Sequence, residues 1–304
     1  MAEINISDSD LQGVENKVVL MTGMQKSTMI PLPLLTLSKG GSSGIGLATA
    51  TLLLSLGAKV VNGDLNPPAE EPKSGSYKFV KTNVTSWSDL KNLFKETLNL
   101  HGQVDHVFAN AGMRPTVDYV HLQVDSNNEP LEPGFLTLDV NLKGVINTAS
   151  LALHYMQQQK PSTTPYSITL TASPSSFHRF RAADYGISKH GVLGLLRGLA
   201  PVTYPDLPIR VNALCPSWTI TALTKESNYK GVNATLQPAE AVAKAAVLLM
   251  TDEKRHGQMV LSVGNKYREV EEAVLLKAMS PEIRGQQLTE DEICAGVVAN
   301  MMQQ

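Results

Sequence analysis

The stretches KVVLMTG (17–23) and GSSGIGLATATLLLSLGAKVVNGD (41–64) form one unit in two pieces: a strand, a glycine-rich turn, a helix and a second strand that closes on an aspartate. Glycines at a strand-to-helix turn let the backbone approach a ligand closely, and the first helical turn offers unpaired amides with a partial positive charge. A pyrophosphate needs those features, so the unit points to a dinucleotide. Gly40, Gly41, Ser43, Gly44, Ile45 and Gly46 would line the turn, with Ser43 also suited to cap the helix. Asp64 stands 18 residues beyond Gly46 at a strand end. There a carboxylate accepts hydrogen bonds from both hydroxyls of an adenosine ribose and repels the extra phosphate of NADP. The expected cofactor is therefore NAD, with NADP as the alternative.

Between the two pieces lie 17 residues, MQKSTMIPLPLLTLSKG (24–40), where such loops mostly take about 2 to 6. The segment is apolar, carries two prolines and has neither helical nor strand periodicity. It is either a retained short intron or a real loop. For the intron, 17 codons preserve the frame, and Gly23-Met24 and Lys39-Gly40 are compatible with splice signals. For the loop, Gly40-Gly41-Ser42-Ser43-Gly44-Ile45-Gly46 restores the glycine spacing by itself. Gly23 and Gly40 both remain candidates for the first corner of the turn.

Apolar runs with strand character recur at 59–64, 78–83, 104–109, 167–171, 209–215 and 258–263, seven with the first. Helical patterns lie among them at 44–56, 87–100, 135–158, 184–202 and 238–250. The alternation predicts an α/β fold, a Rossmann-type doubly wound parallel sheet of about seven strands with helices on both faces. Ser86 is placed to cap the helix at 87–100. Residues 1–266 are expected to form a single domain, and 267–304 a helical tail packed on it or on a neighbouring subunit. Residues 65–76 and 113–134 have the composition of loops.

With 304 residues the chain can bury a substantial core. Its 42% hydrophobic and 18% charged residues are ordinary for a soluble globular protein, and a formal net charge of -2 offers no basic surface to nucleic acid or anionic lipid. Cys215 and Cys294 supply neither a disulfide framework nor metal-ligand spacing, so no metal is expected and a reducing compartment is the simpler inference. The start, MAEINISDSDLQG, lacks the parts of a signal peptide, and no apolar run nears the roughly 20 residues that span a bilayer. The expectation is a soluble cytoplasmic protein with no nucleic-acid or membrane partner.

In Asp184-Tyr185-Gly186-Ile187-Ser188-Lys189 a tyrosine and a lysine stand four positions apart at the start of a predicted helix, on one face. Ser173 precedes Tyr185 by 12 residues, just past an apolar strand, and Asn141 falls within the preceding long helix. Asn110-Ala111-Gly112 follows the fourth strand, and Pro216, Thr219 and Thr221 follow the sixth. With the glycine turn, this ordered set resembles the short-chain dehydrogenase/reductase (SDR) family over roughly residues 16–263.

The resemblance implies an NAD(P)-dependent oxidoreductase that interconverts a secondary alcohol and a ketone by hydride transfer. Tyr185 would be the acid/base. A phenol ordinarily titrates near pH 10, and Lys189 one helical turn away, with the oxidised nicotinamide, would lower the cost of its anion. Ser173 would hold the substrate oxygen, with Ser175 the alternative in Ser173-Pro174-Ser175-Ser176. Asn141 would order a water that relays protons from Lys189. The resemblance also places Asn83 and Val84 at the adenine, Asn110, Ala111 and Gly112 beneath the cofactor, and Lys143 beside it. Tyr185 and Lys189 would meet the nicotinamide ribose, and Pro216, Thr219 and Thr221 the carboxamide and nearby phosphate. The chain departs from the family at Asn83, where aspartate is more usual, and at Ser217, where glycine commonly follows the proline.

Phe177 and Phe180 lie in the loop after the serine, where aromatic rings favour a cyclic or polyketide-like small molecule and so a place in secondary metabolism. The polar stretch after Ile220 is expected to be a flap over the substrate. Family members commonly form homodimers or homotetramers through the helices predicted here at 135–158 and 184–202. The rival expectation is a catalytically silent dinucleotide-binding protein, or a chain inactivated by the insert in its glycine turn.

Overall fold

The strands are β1 (Glu3–Ile4), β2 (Val18–Thr22), β3 (Lys59–Asp64), β4 (Tyr77–Lys81), β5 (His106–Ala109), β6 (Tyr166–Thr171), β7 (Ile209–Pro216), β8 (Thr219–Ile220), β9 (Gln237–Pro238), β10 (Met259–Val263) and β11 (Lys266–Glu269). The computed structural model describes residues 3–23, 44–68, 70–72, 74–160, 162–221 and 229–301. All but β8 and β9 form one sheet of nine strands in the order β1-β11-β10-β7-β6-β5-β2-β3-β4. The seven from β10 to β4 run parallel, as the sequence predicts. From β2 the chain winds outward through β3 and β4, and from β5 it winds the other way. Strand order therefore reverses between β2 and β5, and ligands of such sheets bind at that crevice beyond the strand C-terminal ends.

The helices are α1 (Ile45–Ser55), α2 (Trp87–His101), α3 (Leu136–Leu138), α4 (Gly144–Gln157), α5 (Ala183–Leu199), α6 (Ala239–Thr251), α7 (Pro281–Arg284) and α8 (Glu290–Met301). Every residue of β2 is buried, and its side chains alternate between two cores. Leu20 joins Leu90 and Phe94 of α2, Val145 and Ala149 of α4, and Val192 and Leu196 of α5. Val19 and Met21 join Ala50 and Leu53 of α1 and Val242 and Leu249 of α6. Ser86 caps α2 by accepting the Asp89 amide at 3.3 Å, and Gly102 ends that helix in a left-handed conformation. Among the described residues no helix is long and apolar enough to cross a membrane.

Two expectations need correction. The tail does not begin at residue 267. Gly264 and Asn265 both take positive φ, 55° and 64°, in a two-residue hairpin turn that folds β11 antiparallel onto β10. β1 pairs in turn with β11, so Tyr267 is a strand residue opposite Ile4. Glu269 then accepts the amides of Glu271 at 2.7 Å and Ala273 at 2.8 Å, opening a π-helical turn at Glu271–Leu275 that Arg197 of α5 holds through Glu271. The helix expected at 135–158 is also not uniform. A π-helical turn at Asp139–Lys143 separates α3 from α4, and Asn141 sits at its centre.

Candidate active site

Ser173, Tyr185 and Lys189 come together beyond the C-terminal end of β6, and Asn141 reaches their helix at Ser188. Ser173 leaves β6 in extended conformation and caps the short turn Pro174–Ser176, its hydroxyl accepting the Ser175 amide at 3.2 Å and donating to the Ser175 hydroxyl at 3.3 Å. Tyr185 and Lys189 occupy the first turns of α5, with the Lys189 ammonium 5.7 Å from the centre of the phenol ring. Burial raises the Tyr185 pKa, and the neighbouring Ser173 hydroxyl works against that rise. The resting phenol is therefore protonated.

Lys189 is itself nearly enclosed, 3% exposed, and donates to the Thr171 carbonyl at 2.7 Å. Burial lowers its pKa from 10.5 to about 8. Below pH 8 both folded and unfolded chains hold this proton, and the folded chain bears the full cost of the buried charge. Between pH 8 and 10.5 the unfolded chain binds more protons, so stability rises with pH across that window. Lys189→Met is therefore expected to stabilise the ligand-free chain by about 2 kcal/mol at pH 7. That is roughly 3 kcal/mol of relieved charge burial less about 1 kcal/mol for the lost bond to Thr171. Urea unfolding at pH 7 and near pH 10.5 checks this: the gain disappears at the higher pH, and an equal gain at both would rule out the buried charge as its source.

Asn141 is wholly buried, accepting the Met113 amide at 2.7 Å and donating to the Met113 carbonyl at 2.9 Å and to the Ser188 hydroxyl at 3.5 Å. The loop that leaves β5 is thereby fastened to the π-helical turn. At the β2–β5 crevice Gly23 takes φ +75°, and a Cβ there would lie 2.5 Å from Ala111 Cα. Asn110 donates to the carbonyls of Thr22, at 3.2 Å, and Gly23. The described corner that only glycine can make is thus at Gly23. Gly40, Gly41 and Ser43, and the insert as a whole, lie outside the described residues.

Gly44 precedes α1 and brings no side chain of its own to the first-turn amides at Ile45 and Gly46. Asp64 ends β3, opposite Lys81 of β4, and accepts the Asn66 amide at 3.4 Å. A helix that starts at glycine, with a carboxylate at the end of the next strand, suits the pyrophosphate and ribose of a dinucleotide.

The other residues expected at the cofactor have the following surroundings within the chain. Asn83 directs its side-chain oxygen to the Thr85 amide at 3.0 Å and hydroxyl at 2.9 Å, forming the turn before α2. Val84 packs against Gly144 in the core. Lys143 is exposed and makes no ion pair among the described residues. The Thr219 hydroxyl faces inward, donating to the Ser217 carbonyl at 2.8 Å and accepting from Gln237 at 3.2 Å. Pro216 ends β7, and Thr221 is the last described residue before 222–228, where the expected flap lies outside the described residues.

Sequence reasoning missed two residues. Gln237 is buried and also bonds Ser262 through both ends of its amide, at 2.8 and 2.9 Å, locking the loop after β7 to β10. Asp184, fully buried beside Tyr185, accepts four hydrogen bonds. Its adjacency to the tyrosine was the one signal available. At the rim, the Phe180 ring lies 5.4 Å from that of Tyr185, and Trp218 lies 5.5 Å from Tyr229.

The family model described as short chain dehydrogenase matches residues 36–231. Short-chain dehydrogenase/reductase ascJ of Acremonium egyptiacum is 43% identical over 99% of this chain and 97% of its own. The chain belongs to the short-chain dehydrogenase/reductase family. A second SDR, prx4 of Penicillium roqueforti, is 31% identical over 90% of this chain and 82% of its own. Among solved structures, 3-ketoacyl-(acyl-carrier-protein) reductase from Brucella melitensis, complexed with NADH, superposes with a TM-score of 0.64 at 21% identity, covering 83% of this SDR and 98% of that chain. At that identity the likeness shows the fold. As an SDR, the chain is an oxidoreductase of a family that binds NAD(P) and acts on small molecules.

Proposed function

We propose that this SDR interconverts a secondary alcohol and a ketone, with Tyr185 as acid/base and NAD as the preferred cofactor. The observation that carries the proposal is the convergence of Ser173 on Tyr185, with Lys189 enclosed beneath the phenol ring. Bound along the β2–β5 crevice, the dinucleotide would supply the hydride acceptor or donor. Gly44, Ile45 and Gly46 would hold its pyrophosphate, Asp64 its adenosine ribose, and Lys189 its nicotinamide ribose. Asn83, Val84, Asn110, Ala111, Gly112, Pro216, Thr219 and Thr221 would line it through backbone or side chain.

Ser173 would orient the substrate oxygen by hydrogen bond, and Tyr185, protonated at rest, would give its proton to that oxygen in reduction and regain it in oxidation. Asn141, fixed in the π-helical turn, would place a water between Lys189 and solvent. Phe180 and Trp218, 39% and 45% exposed at the rim, support a cyclic, polyketide-like substrate and a role in secondary metabolism. Exposed Ile146 on α4 and Ile187 on α5 support a homodimer or homotetramer built on those helices, to be read as solution mass.

The test of the cofactor site is a fluorescence titration with NADH and NADPH, on the whole chain and on one lacking residues 24–40. NADH is expected to bind at least about tenfold more tightly than NADPH, because the carboxylate of Asp64 meets the added phosphate as a like charge. Asp64→Ala should erase most of that preference. Binding by the shortened chain alone would favour the rival reading, in which the insert breaks the phosphate turn, for the chain as it stands.

A further inference from the structure

Asp184 is a buried carboxylate, 0% exposed, that forms no ion pair among the described residues. An unpaired buried charge is costly unless hydrogen bonds replace its hydration. Here four donors do so. Oδ2 accepts the amides of Thr116 at 2.8 Å and Val117 at 3.1 Å and the hydroxyl of Thr137 at 2.6 Å. Oδ1 accepts the amide of Tyr185 at 2.7 Å. The Thr116 and Thr137 hydroxyls also lie 2.8 Å apart. One carboxylate thus joins the loop beyond β5, α3 and the first turn of α5. Asn141 fastens the same loop a few residues earlier, at Met113.

We infer that Asp184 is a positioning residue that sets the distance between Tyr185 and the loop at Thr116–Val117, which would wall the cleft. The inference rests on Tyr185 being the acid/base. Only a carboxylate meets the requirement, because both of its oxygens accept. An asparagine of the same shape has one oxygen and one NH2, so turning the oxygen toward Oδ2's three donors sets NH2 against the Tyr185 amide, and the reverse orientation abandons the wall. A wall free to drift leaves the ketone poorly aligned with the phenol, and reaction rates fall steeply with such misalignment.

The test is Asp184→Asn in the full chain, followed by hydrogen exchange and mass spectrometry over residues 113–120. Exchange at the Thr116 and Val117 amides is expected to rise about tenfold or more, while β6 stays protected and NADH affinity changes by less than about twofold. With cyclohexanone, tetralone and decalone as probes, kcat/KM for any the unaltered chain reduces should fall about tenfold, mainly through kcat. Unchanged exchange in folded Asp184→Asn overturns the inference, as does faster exchange with unaltered kinetics. If none of the probes is reduced, exchange alone decides. Should Asp184→Asn fail to fold, Thr137→Val removes one donor and keeps the charge; about threefold faster exchange at 116–117 is then expected, and no change overturns the inference. Turnover that survives loss of the Tyr185 hydroxyl would defeat the acid/base assignment separately, without altering the exchange result.

Discussion

Tyr185→Phe is expected to lower kcat about a thousandfold, the middle of the range for loss of a positioned proton-transfer group, with NADH affinity held within about twofold. The substitution removes one oxygen and keeps the ring. Phe180, 5.4 Å away, retains its contact, and Lys189 retains its bond to the Thr171 carbonyl. What disappears is the phenol proton, the one that Tyr185 would give to the substrate oxygen under the proposed mechanism. Steady-state kinetics on any ketone that the unaltered chain reduces, with a parallel NADH titration, reads both effects. More than about a tenth of the turnover surviving would contradict the assignment, since a bystander phenol has no such leverage.

Gly23→Ala is the second large effect, and it acts through the backbone. The position holds φ +75°, and the new methyl would meet Ala111 Cα at 2.5 Å and Ala111 N at 2.9 Å, backbone atoms that cannot rotate away. Left-handed conformation costs alanine about 1 kcal/mol, and forcing apart the ends of β2 and β5 adds about 1–3 kcal/mol. The expected result is a Tm lower by roughly 5 °C and NADH binding weakened at least about tenfold, because the displaced strand ends form the crevice itself. Gly102→Ala is the control. Gly102 has φ +76° and open space where a Cβ would stand, so it should lose only about 1 kcal/mol and leave NADH binding intact. Equal losses in the two variants would show that conformation alone, and not contact with Ala111, makes Gly23 necessary.

These expectations concern different parts of one construction. Asn110 and Gly23 close the crevice between β2 and β5, Asn141 and Asp184 hold the loop that leaves β5, and α5 presents Tyr185 beside that loop. Chemistry at the phenol therefore depends on residues spread along most of the chain. Burial acts on the two titrating groups in opposite senses, raising the Tyr185 pKa and lowering that of Lys189 to about 8. Both are driven toward their neutral forms by loss of solvent, and a protonated phenol is the form the proposed reduction needs.

The parallel sheet was legible in the sequence because its strands are buried on both faces and appear as short, continuous apolar runs such as VVLM and VVNG. The family was legible because Gly44, Gly46, Asn110, Ser173, Tyr185 and Lys189 follow one another in a fixed order along those strands and helices. β11 escaped notice although Gly264-Asn265 is a two-residue hairpin signal, since the strand after it is short and partly exposed, with charged residues at Lys266, Arg268 and Glu269. The break in the helix around Asn141 has no mark in a 3.6-residue pattern, because a π-helical turn shifts hydrogen bonds rather than composition.

Local sequence thus determined what depends on neighbours in the chain: strand and helix type, the capping of α2 by Ser86, and the pairing of Tyr185 with Lys189 on one helical face. Tertiary structure decided what depends on neighbours in space. Gly23 is made indispensable by Ala111 on another strand's end, and Asp184 by Thr116 and Thr137, 68 and 47 residues away. Steric exclusion and hydrogen-bond satisfaction act over a few ångströms of space, whatever the length of chain between the groups.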